Sequence, residues 1–228
     1  MCVTIIAVGN GGYNIATDII KEGPFQDIQF IVCDTEADDL NKHSQNACKS
    51  YLLERIQGEV TSSEVALVSD VIARTCDTII VCSSLGGMTG SKYAPLIALD
   101  AVLNGKFVAS FYAMPFAFEG EKKNDRAMKS ALQIIASSNV SVCQNNERIK
   151  EAGDFGLNDM NKPLVDSLNA IMKGHTLLEL ATSNDDKAIQ ALLPQEYIIA
   201  GMPLVKFRSD AYRGIDPEKR KLVFDAKE

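Results

Sequence analysis

The chain has 228 residues, 46% of them hydrophobic and 23% charged, which suits one large globular domain and excludes disorder over most of its length. Its formal net charge of −7 argues against a general nucleic-acid binder, because affinity for a polyanion comes mainly from Lys and Arg neutralising phosphates. No apolar run approaches the ~20 residues that span a bilayer and MCVTIIAVGN carries no secretory signal pattern, so we expect a cytoplasmic protein with no direct membrane insertion.

In chain order, Val- and Ile-rich runs recur at 2–8, 28–34, 78–84, 107–114 and 140–144. They are too uniformly apolar for half-exposed strands and predict strands buried on both faces. Segments with a 3.6-residue apolar period separate them at 13–22, 63–74, 94–104 and 125–138. This alternation predicts an α/β fold with a doubly wound parallel sheet joined by right-handed crossovers. After the fifth strand, 162–182 reads as one long helix. SNDDKAIQALLP then gives a start signal at Ser183 or Asn184 and a stop at Pro194. A strand broken at Pro203 is expected within 197–207, followed by a charged surface tail over 208–228. The domain reading is 1–190 for the main domain, long helix included, and 191–228 for a short extension. The six cysteines form no Cys-x-x-Cys pair and read as reduced thiols rather than a metal site.

Two segments carry chemistry. VGNGGYN (8–14) follows the first strand and LGGMTGSK (85–92) follows the third. Glycines at a strand-to-helix turn let backbone N–H groups approach a phosphate, and the helix N-terminus favours its charge. Asn14 occupies the position of the third glycine in Gly-x-Gly-x-x-Gly, which disfavours a dinucleotide-dependent oxidoreductase. Lys92 does not fall in a P-loop pattern. Two phosphate-sized turns in one parallel sheet point to a ligand with several phosphates held from two sides, and Thr89 and Ser91 add hydroxyls.

These residues resemble the tubulin/FtsZ superfamily, nearer to FtsZ than to tubulin. Gly86, Gly87, Met88, Thr89, Gly90, Ser91 and Lys92 stand where the family has Gly-Gly-Gly-Thr-Gly-Ser/Thr-Gly. VGNGGYNIA, FIVCDTEADDL, MPFAFEGEKK and CQNNERI follow the order of further family segments. The resemblance implies a GTP/GDP site with Mg2+ accompanying the triphosphate. Gly11, Gly12 and Asn14 would cradle the α- and β-phosphates, and Gly86, Gly87, Thr89 and Gly90 the β- and γ-phosphates. Glu119 would accept from the ribose, Lys123 would stand where the family has an Arg, and Asn146 would read guanine. The resemblance puts a second base-reading residue on the long helix, where Asn169 would serve, with Asp166 as the competitor.

The chain also departs from the family. Met88 and Lys92 replace glycines, and QGEVTSSEV (57–65) lacks the Ala-Gly-Ala-Asn-Pro loop. The family's acidic Asn-x-Asp-x-x-Asp loop becomes ATSNDDKAI, leaving Asp185 and Asp186 as the catalytic candidates; a helix cap accounts for the same residues. The resemblance therefore implies a guanine-nucleotide-binding protein that self-associates head-to-tail, with weak or assembly-dependent GTP hydrolysis. The alternative is a scaffold that does not hydrolyse GTP or binds no nucleotide. A membrane-associated protein partner fits such a filament. A Cβ at Gly90 is expected to block phosphate from a surface loop while leaving the fold intact.

Overall fold

The computed structural model describes residues 2–55, 58, 60–152, 160–172 and 204–207. Seven strands form one sheet: β1 (Val3–Val8), β2 (Ile28–Asp34), β3 (Lys49–Leu52), β4 (Thr78–Ser84), β5 (Phe107–Met114), β6 (Val140–Asn145) and β7 (Leu204–Phe207). Their spatial order is β3-β2-β1-β4-β5-β6-β7. The first six run parallel, in register from Val3 opposite Ile28 and Thr78 to Ala113 opposite Gln144. β7 adds antiparallel to β6, with Val140 opposite Phe207. Of the strand expected within 197–207, residues 204–207 are described, as β7, and 197–203 lie outside the described residues.

The strands are apolar on both sides because both are covered. The period of two sends Ile5 and Ala7 to one face and Ile6 and Val8 to the other. On the first face pack α1 (Gly9–Glu22), through Ile15, Ala16 and Ile19, and α7 (Lys162–Met172), through Leu164, Val165 and Leu168. On the second pack α3 (Ser62–Ile72), α4 (Met88–Leu103) and α5 (Glu121–Ser137), through Val68, Ile72, Ile97, Ala131 and Ile134. Burying each branched aliphatic side chain contributes about 1.5–3 kcal/mol, so both helix layers are held mainly by the sheet.

Four findings refine the sequence reading. The helices expected at Tyr13 and Ala94 begin at Gly9 and Met88, so the first glycine segment supplies the first turn of α1, while in the second Leu85–Gly87 form the bend before α4 and Met88–Ser91 its first turn. Short α2 (Ala37–His43), β3 and α6 (Asn146–Ala152) lack a long periodic run and were not foreseen. The long helix is described as α7 to Met172, and its expected continuation to 182 lies outside the described residues. Cys2 and Cys76 form a disulfide across a sequence separation of 74, which corrects the expectation of six free thiols. Parallel pairing of β1 with β4 sets Val3 opposite Thr78 and brings the two preceding cysteines to a Cα separation of 5.9 Å. Among the described residues, no helix is long and apolar enough to cross a membrane.

Candidate functional site

The strand order reverses between β1 and β4: the chain winds outward from β1 through β2 to β3, then returns to β4 on β1's other side. The crevice beyond the carboxyl ends of such strands is where open α/β sheets bind ligands. Both glycine segments lie there, one opening α1 on the first face and one opening α4 on the second. They touch, since a Cβ on Gly9 would lie 3.3 Å from Thr89 Cβ. Gly9 and Gly86 take left-handed φ values of +74° and +95°, which favour glycine. Neither helix has a side-chain N-cap or an acidic residue in its first turn. By contrast, α3 carries a full capping box, with Thr61 and Glu64 serving each other's N–H groups. Two first turns thus present uncapped amides and positive helix ends to the same crevice.

The remaining glycines separate into two kinds. Added Cβ atoms on Gly11, Gly12 and Gly90 would stand 2.3 Å from Ser84 Cβ, Cys82 O and Ser84 O respectively. These glycines let α1 and α4 seat against β4. The expectation that Gly90→Val leaves the fold is therefore corrected, because Gly90 is buried under the Ser84 carbonyl. Gly87 is the opposite case, exposed and with nothing within 4 Å of a Cβ.

Helix α5 braces the second turn from behind. Pro95 lies inside α4 and supplies no N–H, so the Ser91 carbonyl four residues earlier loses its helical partner. Ser130 Oγ donates to that carbonyl at 2.8 Å. One helical turn earlier, Arg126 Nη1 donates to the Gly86 carbonyl at 2.9 Å, while Gly86 N donates to Ser91 Oγ at 2.8 Å.

The polar candidates Glu119, Lys123 and Asn146 follow the carboxyl ends of β5 and β6. Glu119 accepts from Phe116 N at 2.9 Å and from Lys123 Nζ at 3.2 Å, so the two residues assigned separately to ribose and charge engage each other. Asn145 caps α6 by accepting from Glu147 N at 3.0 Å. The adjacent Asn146 accepts on Oδ1 from Gln144 Nε2 at 3.0 Å, which leaves its amide as donor. Glu147 accepts from Ala117 N at 2.9 Å. That bond chiefly, with Lys150, holds its carboxyl below the usual carboxylate range. Asn14 is exposed on the second turn of α1. Asn169 is not brought here: its Nδ2 donates to the Glu22 carbonyl at 3.1 Å, at the far end of α1 and about 20 Å along the axis from Gly9. Asp166 is ion-paired with Lys162 at 2.9 Å. Asp185 and Asp186 lie outside the described residues.

Comparison with known proteins decides the family. The family model of the Tubulin/FtsZ family, GTPase domain, matches residues 2–154. The chain belongs to the tubulin/FtsZ family. It is 29% identical over 167 residues to the cell division protein FtsZ of Mycoplasmopsis pulmonis, covering 69% of this chain and 43% of that protein. With the Aquifex aeolicus FtsZ it shares 26% over 186 residues, covering 76% of this chain and 50% of that one. The chain thus spans about half the length of these relatives. An empty FtsZ dimer from M. jannaschii superposes with a TM-score of 0.60 at 23% identity, covering 81% of this chain and 56% of its own. CetZ2 from Haloferax volcanii, solved as a GTPγS-bound protofilament, gives 0.56 at 19% identity, covering 84% and 62%. At these identities the structural matches establish the shared fold.

Within this tubulin/FtsZ domain, two residues beside the glycine turns escaped the sequence reading. Thr35 and Thr89 hydroxyls lie 2.6 Å apart, and Thr89 Oγ1 donates to Asp34 Oδ1 at 3.4 Å. Asp34 is 2% exposed, and its Oδ2 has no partner among the described residues. Burial pushes its carboxyl up, against the lowering effect of the Glu36 and Thr35 N–H groups. The available signal was the segment FIVCDTEADDL, whose polar residues begin where β2 ends.

Proposed function

We propose that this protein binds a guanine nucleotide at the β1/β4 crevice and self-associates head-to-tail, with weak or assembly-dependent GTP hydrolysis. The observation that carries this reading is the convergence of two uncapped helix N-termini, through touching glycine turns, where the strand order reverses. That arrangement suits a chain of phosphates better than a single anion, because each turn can hold one end. Gly11, Gly12 and Asn14 form the first side of the cradle, and Gly86, Gly87, Thr89 and Gly90 the second. Asn146 reads the base through its free amide donors. Glu119 serves the ribose after exchanging its bond with Lys123, which then turns to the nucleotide. Mg2+ would screen the charge of the triphosphate, and the oxygens of Asp34, Thr35 and Thr89 are the hard donors beside both turns. The unpartnered Oδ2 of Asp34 fits that use.

Head-to-tail assembly draws support from the dimeric and protofilament states in which related folds were solved. Asp185 and Asp186 would enter a neighbour's site and position water, so that assembly completes the enzyme. The direct test is to denature the purified protein and identify what it releases. GDP or GTP supports the reading, nothing supports a nucleotide-free scaffold, and NAD points to a dinucleotide enzyme.

A further inference from the structure

We infer that Arg126 is the positioning residue of the second glycine turn: by holding the Gly86 carbonyl it aims the Gly87 N–H into the crevice. In a trans peptide the C=O and the following N–H point in opposite directions, and no peptide bond among the described residues is cis. The Gly86 carbonyl is committed to Arg126 Nη1 at 2.9 Å. The Gly87 N–H therefore faces away from α5, at an exposed residue where an added Cβ would meet nothing within 4 Å, and it has no acceptor among the described residues.

The peptide needs this hold. Gly86 sits at φ +95°, and the glycine pair 86–87 has no side chain to resist rotation. A flipped peptide would present a carbonyl oxygen to phosphate, turning attraction into repulsion. The flanking groups are already fixed by Gly86 N donating to Ser91 Oγ and Ser130 Oγ donating to Ser91 O. The Gly86–Gly87 peptide depends on Arg126.

Arg126 is also not drawn away by an ion pair among the described residues, whereas Lys123, one turn earlier, is paired with Glu119 at 3.2 Å. The guanidinium strengthens its bond to the carbonyl by charge and adds positive potential behind the turn without contacting the ligand.

This inference rests on the proposed phosphate site, and its test separates the two. GTP and inorganic tripolyphosphate are titrated against the full chain and against Arg126→Gln. The 15N–1H resonance of Gly87 is recorded in each protein without ligand. Arg126→Gln should weaken both ligands about tenfold, as expected for losing a charge-assisted bond that orients a donor. It should displace the Gly87 resonance and leave the melting temperature within about 3 °C. If Arg126→Gln melts too low to titrate, Arg126→Lys carries the same comparison with a loss of about threefold, since lysine keeps charge but not the fork. Tripolyphosphate affinity within twofold of the parent, or weakened binding with an unmoved Gly87 resonance, overturns the inference. A parent that binds tripolyphosphate without preferring GTP refutes the guanine reading and leaves Arg126 to be judged on tripolyphosphate alone.

Discussion

At the scale of single residues, glycines of similar appearance do different work. Gly12→Ala places a Cβ 2.3 Å from the Cys82 carbonyl and should destabilise the fold by about 1–3 kcal/mol through overpacking, measured by urea unfolding. Asp34 allows a pH test. Its folded pKa is raised by burial, so the protein is most favoured with the group protonated, below the unfolded value of about 3.9. That contribution is lost as pH rises through the folded pKa. Asp34→Asn should therefore raise the melting temperature of the nucleotide-free protein at neutral pH, with a gain that shrinks towards pH 4. A gain independent of pH would mean that desolvation of the carboxylate is not the cause. The sequence marked the glycine turns through their position after Val/Ile runs. It did not distinguish Gly90, which packs, from Gly87, which opens outward, because that depends on the tertiary approach of α4 to the Ser84 carbonyl.

At the scale of elements, the contrast between capped α3 and uncapped α1 and α4 suggests a substitution with two opposed effects. Gly87 is the N-cap residue of α4, in extended backbone at φ −71° and ψ 167°, a conformation any residue adopts. Gly87→Asp should stabilise the fold by a few tenths of a kcal/mol, to about 1 kcal/mol, by capping the first turn and complementing the helix dipole. The same carboxylate should repel phosphate and reduce nucleotide affinity at least tenfold. Melting curves and titration of one variant read both, and a variant that binds as well as the parent would remove α4 from the site. The long strands and helices were legible because their apolar periods run for many residues. β3 and α2 were not: β3 is an edge strand of four residues with exposed positions, and α2 has seven residues of mostly polar sequence. The Cys2–Cys76 pair was hidden for a different reason, since only the β1–β4 pairing closes its separation of 74 residues.

At the scale of the whole molecule, the proposal makes hydrolysis a property of the assembly. If Asp185 and Asp186 complete a neighbour's site, phosphate release should rise faster than linearly with protein concentration. Replacing both with Ala should abolish it while sparing GTP affinity. Rates strictly proportional to concentration that survive the double substitution would exclude shared-site catalysis. All of this stands on a base-selective phosphate site at the point where the strand order reverses. Calorimetric titration of the nucleotide-free chain with GTP and with ATP tests that claim most directly. The account predicts saturable GTP binding with ATP at least tenfold weaker, and a loss of about 1–3 kcal/mol for GTP in Asn146→Ala, as a base edge loses its partner. Equal affinities for the two nucleotides, or no binding of either, would contradict it.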